Sequence, residues 1–219
     1  MIVVKQKRLA DMTRMLAGHG RVLIVGCNTC AAVALAGGEK EVETIEELLR
    51  LQDSRKGMTR AYGTAVLTRQ CEPEYIEELD AGGYDAVLSM GCGAGVALLS
   101  EQLGIPVYPA LDTLFIGASQ GVASWRAECS ACGQCVLGET AGICPVTRCA
   151  KGILNGPCGG VNEGKCEADP DRDCAWVLIY ERLAARERLD DFARTLPPKD
   201  HSTRITLHAW EVEEGGEER

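Results

Sequence analysis

Histidine is scarce in this 219-residue chain: only His19, His201 and His208 occur, and none lies beside a cysteine cluster. Any metal site is therefore expected to be all-thiolate. Basic residues are outnumbered, with 23 Lys and Arg against 32 Asp and Glu and a net charge of −9. That balance excludes nucleic acid as a partner, because its binding rests on cations that neutralise phosphates. No apolar run reaches the roughly 18 residues of a membrane span, so no membrane insertion is expected. Met1 to Met12 interleaves Lys5, Lys7, Arg8 and Asp11 with its apolar residues and lacks the apolar centre of a signal peptide. The expected location is the cytoplasm. No Ser-His-Asp or Cys-His set is present. Gly91-x-Gly93-x-Gly95 lacks both the G-x-G-x-x-G spacing and the P-loop Lys-Ser/Thr, so its glycines are read as backbone that passes close to whatever Cys92 binds. Glu72, Glu74, Glu77, Glu78 and Asp80 form a charge run that reads as a solvated helix face.

Cysteine is what the chain does have. There are twelve, in a sequence that is 46% hydrophobic and hence globular. In a reducing compartment, such density points to metal or redox chemistry in preference to disulfides. Eight crowd one stretch: Cys129, Cys132, Cys135, Cys144, Cys149, Cys158, Cys166 and Cys174, spaced C-x2-C-x2-C-x8-C-x4-C-x8-C-x7-C-x7-C. The opening triplet has the C-x2-C-x2-C spacing that places three thiolates on one cubane, as in bacterial ferredoxins. Cys144-Pro145 resembles the ferredoxin fourth ligand, after a longer gap. Eight cysteines divide into two four-thiolate sites, so two [4Fe–4S] clusters are expected here. Small residues between the ligands leave backbone N–H groups free for cluster sulfurs. Zinc is the main alternative, but its sites favour separated C-x2-C pairs. Disulfides, and eight unrelated buried thiols, are the others. The pairing of ligands between clusters stays open.

Along the chain, strand and helix patterns alternate through the first half. The expected elements are a helix over 5–17, strands at 22–25, 65–68, 85–90 and 105–108, and helices at 30–36, 45–51, 72–80 and 96–103. Gly37-Gly38 is read as a helix stop. This predicts an α/β fold with a parallel, Rossmann- or flavodoxin-like sheet. A cysteine-rich, ferredoxin-like iron–sulfur segment follows, then a C-terminal helix from Trp176 to about Arg194, with Trp176, Ile179, Tyr180 and Leu183 on one face. The domains are placed at 1–122 and 123–196, with a polar tail at 197–219. Trp125 and Trp176 are candidates for a docking surface, with core packing the competing role, above all for Trp176.

Cys27, Cys30, Cys71 and Cys92 all map to the carboxyl edge of the expected sheet, where open α/β sheets bind ligands. They form a candidate third metal site, iron–sulfur or zinc. Ordinary buried thiols and a thioredoxin-like Cys27-Asn28-Thr29-Cys30 are the alternatives.

The run Cys144-Pro145, Cys149-Ala150-Lys151-Gly152, Asn155-Gly156-Pro157-Cys158-Gly159-Gly160, Lys165-Cys166-Glu167 and Cys174-Ala175-Trp176 resembles the C-terminal domain family associated with methylenetetrahydrofolate reductase. Gly26 to Cys30, Gly37 to Val42 and Gly91 to Gly95 extend the resemblance to about residues 2–200, and 201–219 departs from it. In acetogenic and related anaerobic bacteria this domain occurs as a small iron–sulfur subunit beside a flavin-containing catalytic subunit. The resemblance therefore implies an electron-transfer subunit of one-carbon metabolism, in the Wood–Ljungdahl pathway. It would exchange electrons with the catalytic subunit's flavin, would be inactive alone, and leaves room for a further electron-donor subunit. A zinc-stabilised scaffold or assembly protein and an independent folate- or corrinoid-dependent methyltransferase component are the rival functions.

Overall fold

Four strands, β2 (Arg21–Cys27), β3 (Ala61–Leu67), β4 (Ala86–Met90) and β5 (Val107–Pro109), make a parallel sheet in the order β3-β2-β4-β5. Val22 and Ile24 of β2 join one core with Val42, Ile45 and Leu49 of helix α3 (Glu39–Arg55) and Met12 of α1 (Leu9–Met15). Leu23 and Val25 join the opposite core with Ile76 of α4 (Pro73–Glu77) and Leu99 of α5 (Gly93–Gln102). Both faces of the strand are thus covered, which is why it reads as a continuous apolar run. The strand order reverses between β2 and β4. Doubly wound sheets place ligands in the crevice at such a point, outside the carboxyl ends of the strands.

This computed structural model describes residues 1–202. The chain divides into two compact units, Met1–Arg126 and a second beginning at Ala127. Among the described residues, no helix is long and apolar enough to cross a membrane.

The first unit departs from its sequence pattern in five places. Ile2–Gln6 is a strand, β1, and the expected helix over 5–17 shrinks to α1. Its β-branched Val3 and Val4 are buried and pair with β6 (Leu111–Gly121), which has β7 (Ser124–Cys129) on its other edge. This three-stranded antiparallel-edged sheet follows β5, so β5 is not the last strand. The helix over 30–36 is a single turn, α2 (Cys30–Val33), and that over 72–80 ends at Glu77. Finally, Gly37-Gly38 opens a helix. Gly38 caps α3 and its N–H donates to the Glu41 carboxylate at 2.9 Å. A Cβ at Gly37 would stand 2.0 Å from the Met90 carbonyl oxygen, so only glycine lets this turn cross the end of β4.

At the amino end of the sheet a buried polar network ties the elements together. Arg60 donates to Asp53 at 3.1 Å and to the carbonyls of Leu16 and His19, while the Tyr62 hydroxyl donates to Asp53 at 2.7 Å. Burial first, then the bond to Asp53, pushes the Tyr62 phenol up to about 12.

The second unit has far less regular structure. Strands β8 (Val161–Asn162), β9 (Lys165–Cys166) and β10 (Asp169–Asp173) form an antiparallel sheet in the order β10-β9-β8. Helix α6 (Pro145–Arg148) is one turn. The expected C-terminal helix is two helices, α7 (Ala175–Ala184) and α8 (Leu189–Ala193), separated by a turn in which Glu187 is left-handed. Their core is Ala141, Ile143, Trp176, Ile179 and Leu183. Tyr180, expected on the same face, is 47% exposed and meets Phe192 edge-on. The ferredoxin-like organisation expected of this segment rests on cysteine spacing alone.

Candidate metal centres

The carboxyl edge of the parallel sheet carries the first four candidates. Cys27 is the last residue of β2 and is buried. Its N–H donates to the Gly37 carbonyl at 2.8 Å, and its Sγ lies 3.5 Å from the Thr29 hydroxyl. Cys30 opens α2, Cys71 follows β3, and Cys92 is the N-cap of α5. Partial burial is the first cause that pushes the Cys71 thiol up, followed by charge repulsion from Cys92 and then Cys27. Cys71 therefore lies within electrostatic reach of Cys92 and Cys27.

The loops that carry these three converge on a residue the sequence did not single out. Gln70 is 1% exposed. Its amide nitrogen donates to the Val25 and Gly26 carbonyls at 2.8 and 3.0 Å, and its carbonyl oxygen accepts from Ser89 Oγ at 2.6 Å. Ser89 Oγ in turn accepts from the Gly91 N–H at 3.2 Å. The expected role of the Gly91 to Gly95 loop changes accordingly. A Cβ at Gly91 would meet Gln70 Oε1 at 2.3 Å, and one at Gly95 would meet Gln70 Cβ at 2.7 Å. Two of the three glycines thus make room for Gln70. The third, Gly93, donates its N–H to Thr113 Oγ1 at 2.9 Å.

The other eight candidates lie in the second unit and the strand that leads into it. Cys129 ends β7, and its Sγ accepts the Ala131 N–H at 3.3 Å. Ala131 takes a left-handed φ of 51° to make the turn, a conformation that costs about 1–2 kcal/mol for a residue with a Cβ. Burial acts to raise the Cys132 thiol, but bonding at the Gln134 backbone and the Lys199 ammonium outweigh it, and the net shift is downward. Lys199 also donates to the Gln134 carbonyl, and the Asp200 N–H donates to Gln134 Oε1 at 2.8 Å. The start of the expected polar tail is therefore tied to the thiol loop. Residues 203–219 lie outside the described residues.

Cys144 and Cys149 flank α6, and Cys144 Sγ donates to Thr147 Oγ1 at 3.5 Å. Cys158 Sγ accepts from Lys151 Nζ at 3.6 Å, and Lys151 also pairs with Glu167. Cys166 is buried in β9, and Cys174 is the N-cap of α7. The Asn155-Gly156-Pro157-Cys158 run is seated from both sides. The Asn155 carboxamide donates to the Leu196 carbonyl and accepts the Leu196 N–H, each at 2.8 Å. A Cβ on Gly156 would stand 2.4 Å from the Trp176 indole. Trp176 is 6% exposed and donates its indole N–H to the Ile153 carbonyl at 3.0 Å, so it is a core residue. Trp125 is half-buried and lines an open apolar groove of about 380 Å³ with Val3, Leu35, Leu114 and Phe115.

All twelve cysteines are free thiols. Among the described residues, no three His, Cys, Asp or Glu side chains are gathered closely enough to hold a metal ion. The donor chemistry is nonetheless uniform. His19 lies at the opposite, amino end of the sheet, where it bonds Tyr108 Oη at 2.9 Å. Any group held by these residues would be held by sulfur. Sequence spacing found the thiols but not Gln70, Thr147, Lys151 or Lys199, whose contacts span gaps of up to tens of residues. The one signal for Gln70 was the glycine pair at 91 and 95, which the sequence assigned to a ligand.

Residues 108–202 match the family described as Methylene-tetrahydrofolate reductase C terminal. The matched span holds all eight cysteines from Cys129 to Cys174, the Asn155 to Gly160 run and the Trp176 helix. Cys27, Cys30, Cys71 and Cys92, with the motifs around them, lie outside it, so the resemblance expected over 2–200 is shown for 108–202. No curated protein and no solved structure matches the chain.

Proposed function

We propose that this chain is an electron-transfer iron–sulfur subunit of a methylenetetrahydrofolate reductase complex, exchanging electrons with the flavin of a separate catalytic subunit. The observation that carries the proposal is the coincidence of the matched span, residues 108–202, with the eight free thiols from Cys129 to Cys174. In this reading those eight hold two [4Fe–4S] clusters, and Cys27, Cys30, Cys71 and Cys92 hold a third group, iron–sulfur or zinc. A cluster held by thiolates supplies one-electron transfer at a potential set by its hydrogen bonds, burial and net charge.

The protein's own contribution lies in those settings. The Ala131 N–H is directed at Cys129 Sγ. The ammonium groups of Lys199 and Lys151 stand beside Cys132 and Cys158, where they offset thiolate charge. Cys92 and Cys174 each cap a helix N-terminus, where unpaired backbone N–H groups favour negative charge. Among the described residues the second unit's core cluster has five buried members, few for the length of chain, so ligand binding would also supply folding energy.

The test is turnover of methylenetetrahydrofolate with an artificial redox dye, run on the chain alone and on the chain co-expressed with a flavin-containing catalytic subunit. Turnover is expected only from the pair. Turnover by the pure single chain would refute the subunit role.

A further inference from the structure

We infer that Gln70 is the positioning residue of the candidate site at the sheet's carboxyl edge, a latch that holds the loops of Cys27, Cys71 and Cys92 in one place. This inference rests on the reading of those three thiols as one site. It does not depend on which metal they hold.

The latch is built from one side chain and one relay. Gln70 immediately precedes Cys71, so fixing its side chain fixes the Cys71 loop. Its amide nitrogen is bonded to the Val25 and Gly26 carbonyls, the last two before Cys27. Its carbonyl oxygen reaches the Cys92 loop through Ser89 Oγ, which accepts the Gly91 N–H next to Cys92. Gln70 and Ser89 are 1% and 0% exposed, so water cannot take over these bonds. The glycines at 91 and 95 close the chain down on the same side chain, since a Cβ at either would overlap it. The carboxamide suits this place because it donates on one side and accepts on the other. A carboxylate would set negative oxygen against two carbonyls, and an apolar residue would leave those carbonyls and the Ser89 hydroxyl without their partner. The two links are separable. Gln70 joins Cys71 to Cys27 directly, but joins Cys71 to Cys92 only through Ser89.

That separability supplies the test. The full-length chain, reduced and treated with chelator, is reacted with a short bifunctional thiol crosslinker, and the linked peptides are mapped by mass spectrometry. Circular dichroism of each variant is compared with that of the unsubstituted chain under the same conditions, to verify that its fold is kept. The unsubstituted chain is expected to give products among Cys27, Cys71 and Cys92. Ser89→Ala should keep the Cys27–Cys71 product and lower those containing Cys92 by about tenfold, the population change expected from one buried hydrogen bond. Gln70→Ala should lower both, and should also remove the penalty of Gly91→Ala. A folded Gln70→Ala with the unsubstituted product pattern would overturn the inference. If Gln70→Ala does not fold, an unchanged pattern in Ser89→Ala overturns it just as well. No product among the three cysteines in the unsubstituted chain would instead sink the underlying reading of one converged site.

Discussion

The two units carry thiols on opposite kinds of frame. In the first, a parallel sheet is packed on both faces by apolar cores, one of which includes Cys27, and Cys71 and Cys92 follow strands that those cores align. In the second, the hydrophobic core cluster among the described residues has five buried members, and the strands β8 and β9 are two residues each. Its order comes largely from single contacts such as Asn155 on Leu196, Lys199 on Gln134 and Gly156 on Trp176. On the proposed reading, a frame of the first kind would tolerate an empty site, and one of the second kind would depend on a group bound by its thiols.

The contrast breaks first on ligand removal. Chelation of the anaerobically isolated chain should speed amide hydrogen exchange from Ala127 onward by about a thousandfold or more, while β2 and β4 keep their protection. Equal loss in both units would erase the distinction. Next, Trp176→Ala should cost the second unit about 4 kcal/mol, because it empties the largest position of a five-residue core. Denaturant unfolding followed by exchange should show no change in the first unit. The matching experiment in the first unit is Arg60→Met. It leaves Asp53 buried without its cation and should cost about 3 kcal/mol there, with no effect on the second unit.

The smallest effect is a pH dependence. The Tyr62 phenol has its ordinary value near 10 when unfolded but is raised to about 12 in the fold. The first unit's stability is therefore full below about pH 10 and falls as pH rises from about 10 to 12, where the unfolded chain ionises and the folded one does not. Tyr62→Phe should flatten that alkaline fall in a series of thermal melts. A curve of unchanged slope would show that the network around Asp53 does not set it.

How much of this was legible in the sequence follows the same division. The strands β2 and β4 were readable because burial on both faces makes them unbroken apolar runs. β1, β6 and β7 were not, since their sheet mixes buried and exposed residues and pairs Val3 with Phe115 across the length of the unit. The Gly37-Gly38 pair was read for its local effect on a helix, yet its purpose is a crossing of Met90, more than fifty residues away. Gly91 and Gly95 mislead for the same reason: their neighbour is Gln70, not a ligand. In the second unit the cysteines themselves were plain from spacing. The lysines that reach Cys132 and Cys158, and the turn that splits α7 from α8, depend on contacts that no periodicity announces.

The central claim, that the thiols of this chain hold iron–sulfur clusters, is tested most directly by iron, acid-labile sulfide and zinc analysis of the chain purified without oxygen. A coloured protein with iron and sulfide in equal amounts, at least eight of each per chain for two cubanes of about four iron and four sulfide each, is the expected result. A colourless protein with stoichiometric zinc and no labile sulfide would contradict it.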